Sequence, residues 1–305
     1  MSAPVISPAA GPEQQPELAM VLMLLAMLIL PGIDATAKWL SSDISSGQVA
    51  WSRFLFQTLL MLPLFLRTRG AILTPALPLH ALRGALIALA TLLFFSALKY
   101  LPLADAISIF FVEPLILTLL SAVFLGESVG WRRLTAVAVG FGGSLIVIRP
   151  SFSALGLPAL LPLGTALSFA VYLILTRKLA QREYPVRMQF YAGVFGGIVM
   201  TAALAAGSIG DVAVLSFVWP DRVQWLLLAG LGVIATSGHL LVVHAFRRAP
   251  AAMLAPFQYV EIIGATILGL VFFGDFPDAT TWLGVAIIVS SGMYVFHREA
   301  TLARK

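Results

Sequence analysis

Apolar blocks alternate with short polar connections along the whole chain, and each block is about as long as a bilayer core is deep. The blocks fall at 18–40, 48–66, 80–98, 104–125, 131–148, 156–176, 187–207, 223–246, 250–273 and 280–297. About 20 residues of α-helix cross a hydrocarbon core of roughly 30 Å. Backbone polar groups find no water at that depth, so each block must pair them internally, as helix. The pattern predicts an all-α integral membrane protein with ten transmembrane helices. The longer connections, 67–79 and 208–222, are too short to hold a soluble domain. Residues 1–17 contain Pro4, Pro8, Pro12 and Pro16 but neither Lys nor Arg, so the basic start of a secretory signal is missing. They are expected to form a flexible cytoplasmic tail, with 299–305 as a second one.

Composition agrees with the pattern. The chain is 60% hydrophobic and 11% charged, which leaves too little polar side chain to cover a soluble fold. The net charge of +5 does not signal nucleic acid, because the basic residues sit in short connections and instead set orientation. With the N-terminus inside, the cytoplasmic segments carry Arg67, Arg69, Arg83, Arg132, Arg133, Arg177, Lys178, Arg182, Arg187, Arg247, Arg248, Arg298, Arg304 and Lys305. The opposite side has only Lys38, Lys99, Arg149 and Arg222. This alternation supports ten spans with both ends cytoplasmic.

A repeat lies at an offset of 148 residues, pairing Pro102 with Pro250, Glu113 with Glu261, Thr118 with Thr266 and Gly126 with Gly274. Glu127 and Asp275 continue it. Five helices per half is an odd number, so the second half must enter the membrane from the opposite side. Inverted repeats of this kind place a substrate site near the midplane between the halves.

The stretches Leu101-Pro102 to Gly126-Glu127 and Ala249-Pro250 to Gly274-Asp275 resemble the EamA domain of the drug/metabolite transporter superfamily. So do the small-residue runs Gly140-Phe141-Gly142-Gly143 and Ser290-Ser291-Gly292, and the opening Asp34-Ala35-Thr36-Ala37-Lys38. The resemblance implies two EamA repeats, at 18–149 and 156–298, in a multi-pass carrier of the bacterial inner membrane. It implies a small-molecule substrate and favours export of an amino-acid-like compound or an amino-acid-derived metallophore. Import of a flavin-like or other cofactor-like solute is the runner-up.

Charge inside a span costs at least about 2.5–3.5 kcal/mol, so it needs a partner, a cavity or a function. Glu113 and Glu261 lie some ten residues into their helices and are the first candidates for a substrate or proton site. A carboxyl bonded within the protein is the alternative, and Pro114 frees a backbone carbonyl nearby. Asp34 and Lys38 are four apart and can pair on one helix face. With Arg53 they would form an outer rim that selects a zwitterion or anion, unless Lys38 simply reaches the interface. Pro31-Gly32 should bend or break the first helix.

Gln258 is three residues before Glu261 and can face the same cavity, and Tyr259, Phe110, Phe111, Trp51, Tyr172, Tyr191 and Phe257 could stack a planar solute. His239 could reach the cavity, whereas His244 belongs nearer the inner interface. Gly193 and Gly197 read as a helix-packing pair.

The absence of cysteine excludes disulfides, thiolate metal sites and a Cys nucleophile. With no GxxxxGK[ST], HExxH or GxSxG motif, ATP-driven or hydrolytic chemistry has no carrier in this chain. No cofactor or metal is expected, and protons are the candidate coupling ion. A lipid flippase or membrane enzyme, and a channel, are the rival classes. Monomer and homodimer stay equally open.

Overall fold

The computed structural model describes residues 15–68, 74–125, 131–180, 183–249, 254 and 257–302. Among them every regular element is helical. The order is α1 (Pro16–Ile29), α2 (Pro31–Leu40), α3 (Ser46–Arg67), α4 (Leu77–Leu98), α5 (Leu103–Phe110), α6 (Glu113–Leu125), α7 (Trp131–Leu155), α8 (Leu161–Ala180), α9 (Pro185–Ile209), α10 (Arg222–Arg248), α11 (Val260–Leu268) and α12 (Ala279–Leu302). A 3-10 turn at Leu157–Leu160 leads into α8, and a second, Ala213–Leu215, lies between α9 and α10. Helix α12 runs past the predicted span end and through residues expected to be a tail. Of the expected N-terminal tail, Pro16 and Glu17 instead open α1, while residues 1–14 and the landmarks Gly126-Glu127 and Pro250 lie outside the described residues.

Six stretches are long and apolar enough to cross a membrane: Pro16–Leu40, Ser46–Arg67, Leu77–Leu98, Leu157–Thr176, Pro185–Ile209 and Arg222–Ala245. Leu134–Ile148, Val260–Phe273 and Ala279–Tyr294 are shorter apolar helices.

Local sequence explains where the helices start and stop. Ser45 caps α3 by accepting from the Gln48 N–H at 3.1 Å. Asp221 and Gln224 form a reciprocal capping box at the start of α10, with bonds of 2.8 and 2.9 Å. Pro31 divides α1 from α2 at Leu30, as its fixed φ and missing N–H require.

The span predicted at 104–125 is also broken, at Phe111–Val112, with Pro114 in the first turn of α6. Beyond α11 the helix widens into one π-turn, Gly269–Phe273, which ends on Gly274 at φ 69°. That left-handed conformation suits glycine and turns the chain sharply.

Helix α3 packs on α9 and α7 on α12; α4 packs on both α8 and α9; α10 packs on α1, α2 and α3; α6 packs on α8 and α11 on α1. Close approach uses small residues. A Cβ at Gly196 would sit 2.6 Å from the Phe54 ring, and one at Gly193 only 2.7 Å from the Thr58 hydroxyl. One at Gly197 would meet nothing nearer than 3.8 Å, so the packing pair is Gly193 with Gly196. Gly143 on α7 similarly faces the Gly284 carbonyl and Ile287 of α12 at about 3 Å.

Candidate functional site

A cavity of about 140 Å³ lies within the bundle. Its polar lining comes from α2 (Asp34), α3 (Arg53), α4 (Thr91), the start of α6 (Glu113), α8 (Thr165), α10 (His239), and Gln258 and Glu261 around the start of α11. Phe94, Phe95, Phe110, Phe111 and Phe169 form its aromatic wall. Phe110 holds Phe94 edge-on at 5.8 Å and Phe169 at 5.6 Å.

Arg53 is 5% exposed and is gripped from two directions. One terminal nitrogen donates to the Thr91 hydroxyl, and the other lies 3.1 Å from His239 Nε2. A guanidinium only donates, so Nε2 must accept, and the ring proton of His239 belongs on Nδ1. The Arg53 Nε–H is buried and has no acceptor. Thr91 and His239 together take two of the five N–H donors of the guanidinium.

Asp34, Glu113 and Glu261 share the cavity with that one guanidinium, so acidic groups outnumber permanent cations in its lining. Glu113 is 2% exposed and its Oε1 has no hydrogen-bond partner. The hydroxyl of Tyr259 is likewise buried and unpartnered, and its ring lies 5.3 Å from Phe111.

The structure thus brings Asp34, Arg53, Glu113, His239, Gln258 and Glu261 to one cavity, and corrects two expectations. Lys38 does not pair with Asp34 and does not line the cavity. Its Nζ meets Asp275 Oδ2 at 2.6 Å, donates to the Leu101 carbonyl at 3.2 Å and lies 4.9 Å above the Phe273 ring. The turn at Gly274 brings Asp275 there, a long-range contact that helical spacing could not reveal. Tyr259 stands behind the wall, against Phe111 and Gly292, rather than in it.

Trp51 donates to the Thr201 hydroxyl at 2.9 Å, and Tyr191 packs on Phe65 and His80. Neither lines the cavity. Thr91, Phe94, Phe95 and Phe169 do line it and were not anticipated, since hydroxyls and phenyls are ordinary in apolar helices.

Arg83, counted with a polar connection from sequence, is fully buried in α4. It donates to the Thr176 hydroxyl (2.8 Å), the Met188 carbonyl (2.7 Å) and the Tyr172 hydroxyl (2.8 Å). It ties α4 to α8 and α9 outside the cavity.

An apolar helical bundle around a polar, aromatic-walled cavity defines a membrane carrier for a small solute. The sequence profile of the EamA-like transporter family matches residues 17–149 and again 156–296, and the chain belongs to that family, within the drug/metabolite transporter superfamily. It is a transporter, not an enzyme.

The S-adenosylmethionine uptake transporter of Rickettsia bellii is 27% identical over 277 residues, 90% of this chain and 92% of that one. The riboflavin transporter of Vibrio cholerae is 28% identical over 290 residues, 93% and 94% of the two chains. The pseudopaline exporter CntI of Pseudomonas aeruginosa is 28% identical over 280 residues, 88% and 92% of the two. A solved crystal structure has the same fold at TM-score 0.63 and 17% identity, over 95% of this chain and 100% of that chain.

Proposed function

We propose that the protein is a secondary carrier of a bacterial inner membrane that takes up a zwitterionic solute with a planar ring, of the S-adenosylmethionine class. The observation that carries this reading is the cavity itself. An amino-acid carboxylate fits the Arg53 guanidinium, an ammonium group fits Asp34 and Glu261, and the phenylalanine wall offers faces for a purine. The excess of acid favours a solute with net positive charge. A neutral flavin would leave those carboxylates without a counter-charge.

The architecture we propose is ten spans in two inverted five-helix repeats, 18–149 and 156–298, with both termini cytoplasmic. The packing supports it. Exchanging each span with the one five places on maps α3-on-α9 and α7-on-α12 onto themselves. It turns α4-on-α8 into α10-on-α1, α4-on-α9 into α10-on-α3, and α6-on-α8 into α11-on-α1, and all of these are present.

The sequence expectation put export first. Relatives named for uptake now weigh for the other direction, while the pseudopaline exporter keeps export of an amino-acid-derived metallophore as the second reading. Purified protein in liposomes, offered labelled S-adenosylmethionine, tests the proposal. Wild type should accumulate label, and Asp34→Asn and Glu261→Gln should each lose about tenfold or more, the worth of one charged contact. Uptake of riboflavin but not S-adenosylmethionine would overturn the substrate class. Label leaving only from preloaded vesicles would reverse the direction.

A further inference from the structure

We infer that the break between α5 and α6 is a binding site for a dehydrated sodium ion, formed by the Glu113 carboxylate, the Phe110 and Phe111 carbonyls and the Tyr259 hydroxyl. The inference rests on the carrier reading, since its role is to couple that transport to a sodium gradient.

The backbone supplies the first two oxygens. The Phe110 carbonyl would normally accept the N–H four residues on, but that residue is Pro114, which has none. Leu115 and Ile116 both donate to the Val112 carbonyl, at 3.1 Å each, so the Phe111 carbonyl is also passed over. Among the described residues neither carbonyl accepts a hydrogen bond. These carbonyls form the C-terminal, negative end of α5.

The side chains supply the other two. Glu113 is 2% exposed with Oε1 unpartnered, and Tyr259 is 9% exposed with its hydroxyl unpartnered. The Tyr259 ring meets Phe111 at 5.3 Å, tilted by 43°. The N-terminal end of α6 offsets part of the carboxylate's charge, but it cannot satisfy the carbonyls behind it.

Oxygen count separates a metal ion from a proton. A protonated Glu113 has one O–H and can satisfy one carbonyl. A single sodium ion held here would draw on all four oxygens and neutralise the carboxylate. Unwound carbonyls at broken helices serve ion sites in other carriers. The second half has no equivalent, because Ile262 stands where Pro114 does in the first half. Its N–H donates to the Tyr259 carbonyl at 3.2 Å.

The test is equilibrium binding of 22Na+ to the purified full-length chain, at fixed pH, with choline balancing ionic strength and no solute present. Wild type should bind saturably. Glu113→Gln should weaken binding about tenfold or more, and Tyr259→Phe and Pro114→Ala about threefold, the last because it returns a donor to the Phe110 carbonyl. If Glu113→Gln does not fold, the other two variants carry the test.

Absence of saturable binding in wild type, or affinity unchanged in all the variants, overturns the site. So does transport that follows pH identically in sodium and in choline, which would make Glu113 a proton carrier. Solute uptake is measured separately. Uptake without sodium binding sinks the ion site alone, and sodium binding without uptake sinks the substrate reading alone.

Discussion

Arg53 depends on an acceptor that it cannot supply for itself. His239 Nε2 gives it one across 3.1 Å, from a helix in the opposite half. A hydrogen bond to a charged group contributes roughly 1.5–3 kcal/mol, so its loss should cost about 10- to 100-fold in solute affinity. His239→Gln keeps an acceptor and should stay within a few fold of wild type, whereas His239→Leu should show the full loss. Uptake kinetics on the two variants read this directly.

The ionisable members of the cavity were legible because an ionisable side chain within an apolar block is conspicuous. Asp34, Arg53, Glu113, His239 and Glu261 all stood out on that ground. Thr91 and the phenylalanines did not, because nothing about such residues in a membrane helix is costly. Lys38 was misread for a different reason. Its four-residue spacing from Asp34 was visible, while Asp275 arrives only through the turn at Gly274.

At the level of elements, the two breaks have the same origin and different visibility. Pro31 opens α2 directly after Leu30, so the break falls where the proline is. Pro114 sits inside α6, and the chain unwinds ahead of it, at Phe111–Val112. Apolar length alone could show the span but not that it is two short helices end to end.

The packing glycines carry a sharper lesson. The four-residue spacing pointed to Gly193 and Gly197, but the α3 face of α9 is reached by Gly193 and Gly196. Gly196→Leu should therefore destabilise the protein by about 1–3 kcal/mol, the cost of overpacking a filled contact, and Gly197→Leu should not. Chemical denaturation in matched detergent distinguishes them. Equal losses would mean that the α3–α9 contact lies elsewhere.

For the molecule as a whole, the cysteine-free chain permits single reporters without background. Ala213 lies in the exposed 3-10 turn between α9 and α10, and Arg67 is exposed at the end of α3. With cytoplasmic termini, Ala213→Cys should react with an impermeant maleimide in intact cells, and Arg67→Cys only after permeabilisation. The reverse pattern would invert the orientation read from the basic residues. The all-helical, apolar character of the chain was legible from block length, and six of the blocks hold helices long enough to cross a membrane. The packing of the halves was not, since no single sequence shows which helix faces which.

Phe111 and Tyr259 occupy equivalent places in the two repeats, 148 residues apart, and their rings touch each other at 5.3 Å. When two related halves trade shapes, parts far from the axis swing while parts on the axis merely turn. A residue that meets its own counterpart lies on that axis. In the inverted-repeat architecture proposed above, the aromatic pair would be the bearing of the machine. Spin labels at 111 and 259 should keep their separation through the transport cycle, while labels at 38 and 275 draw apart and close again.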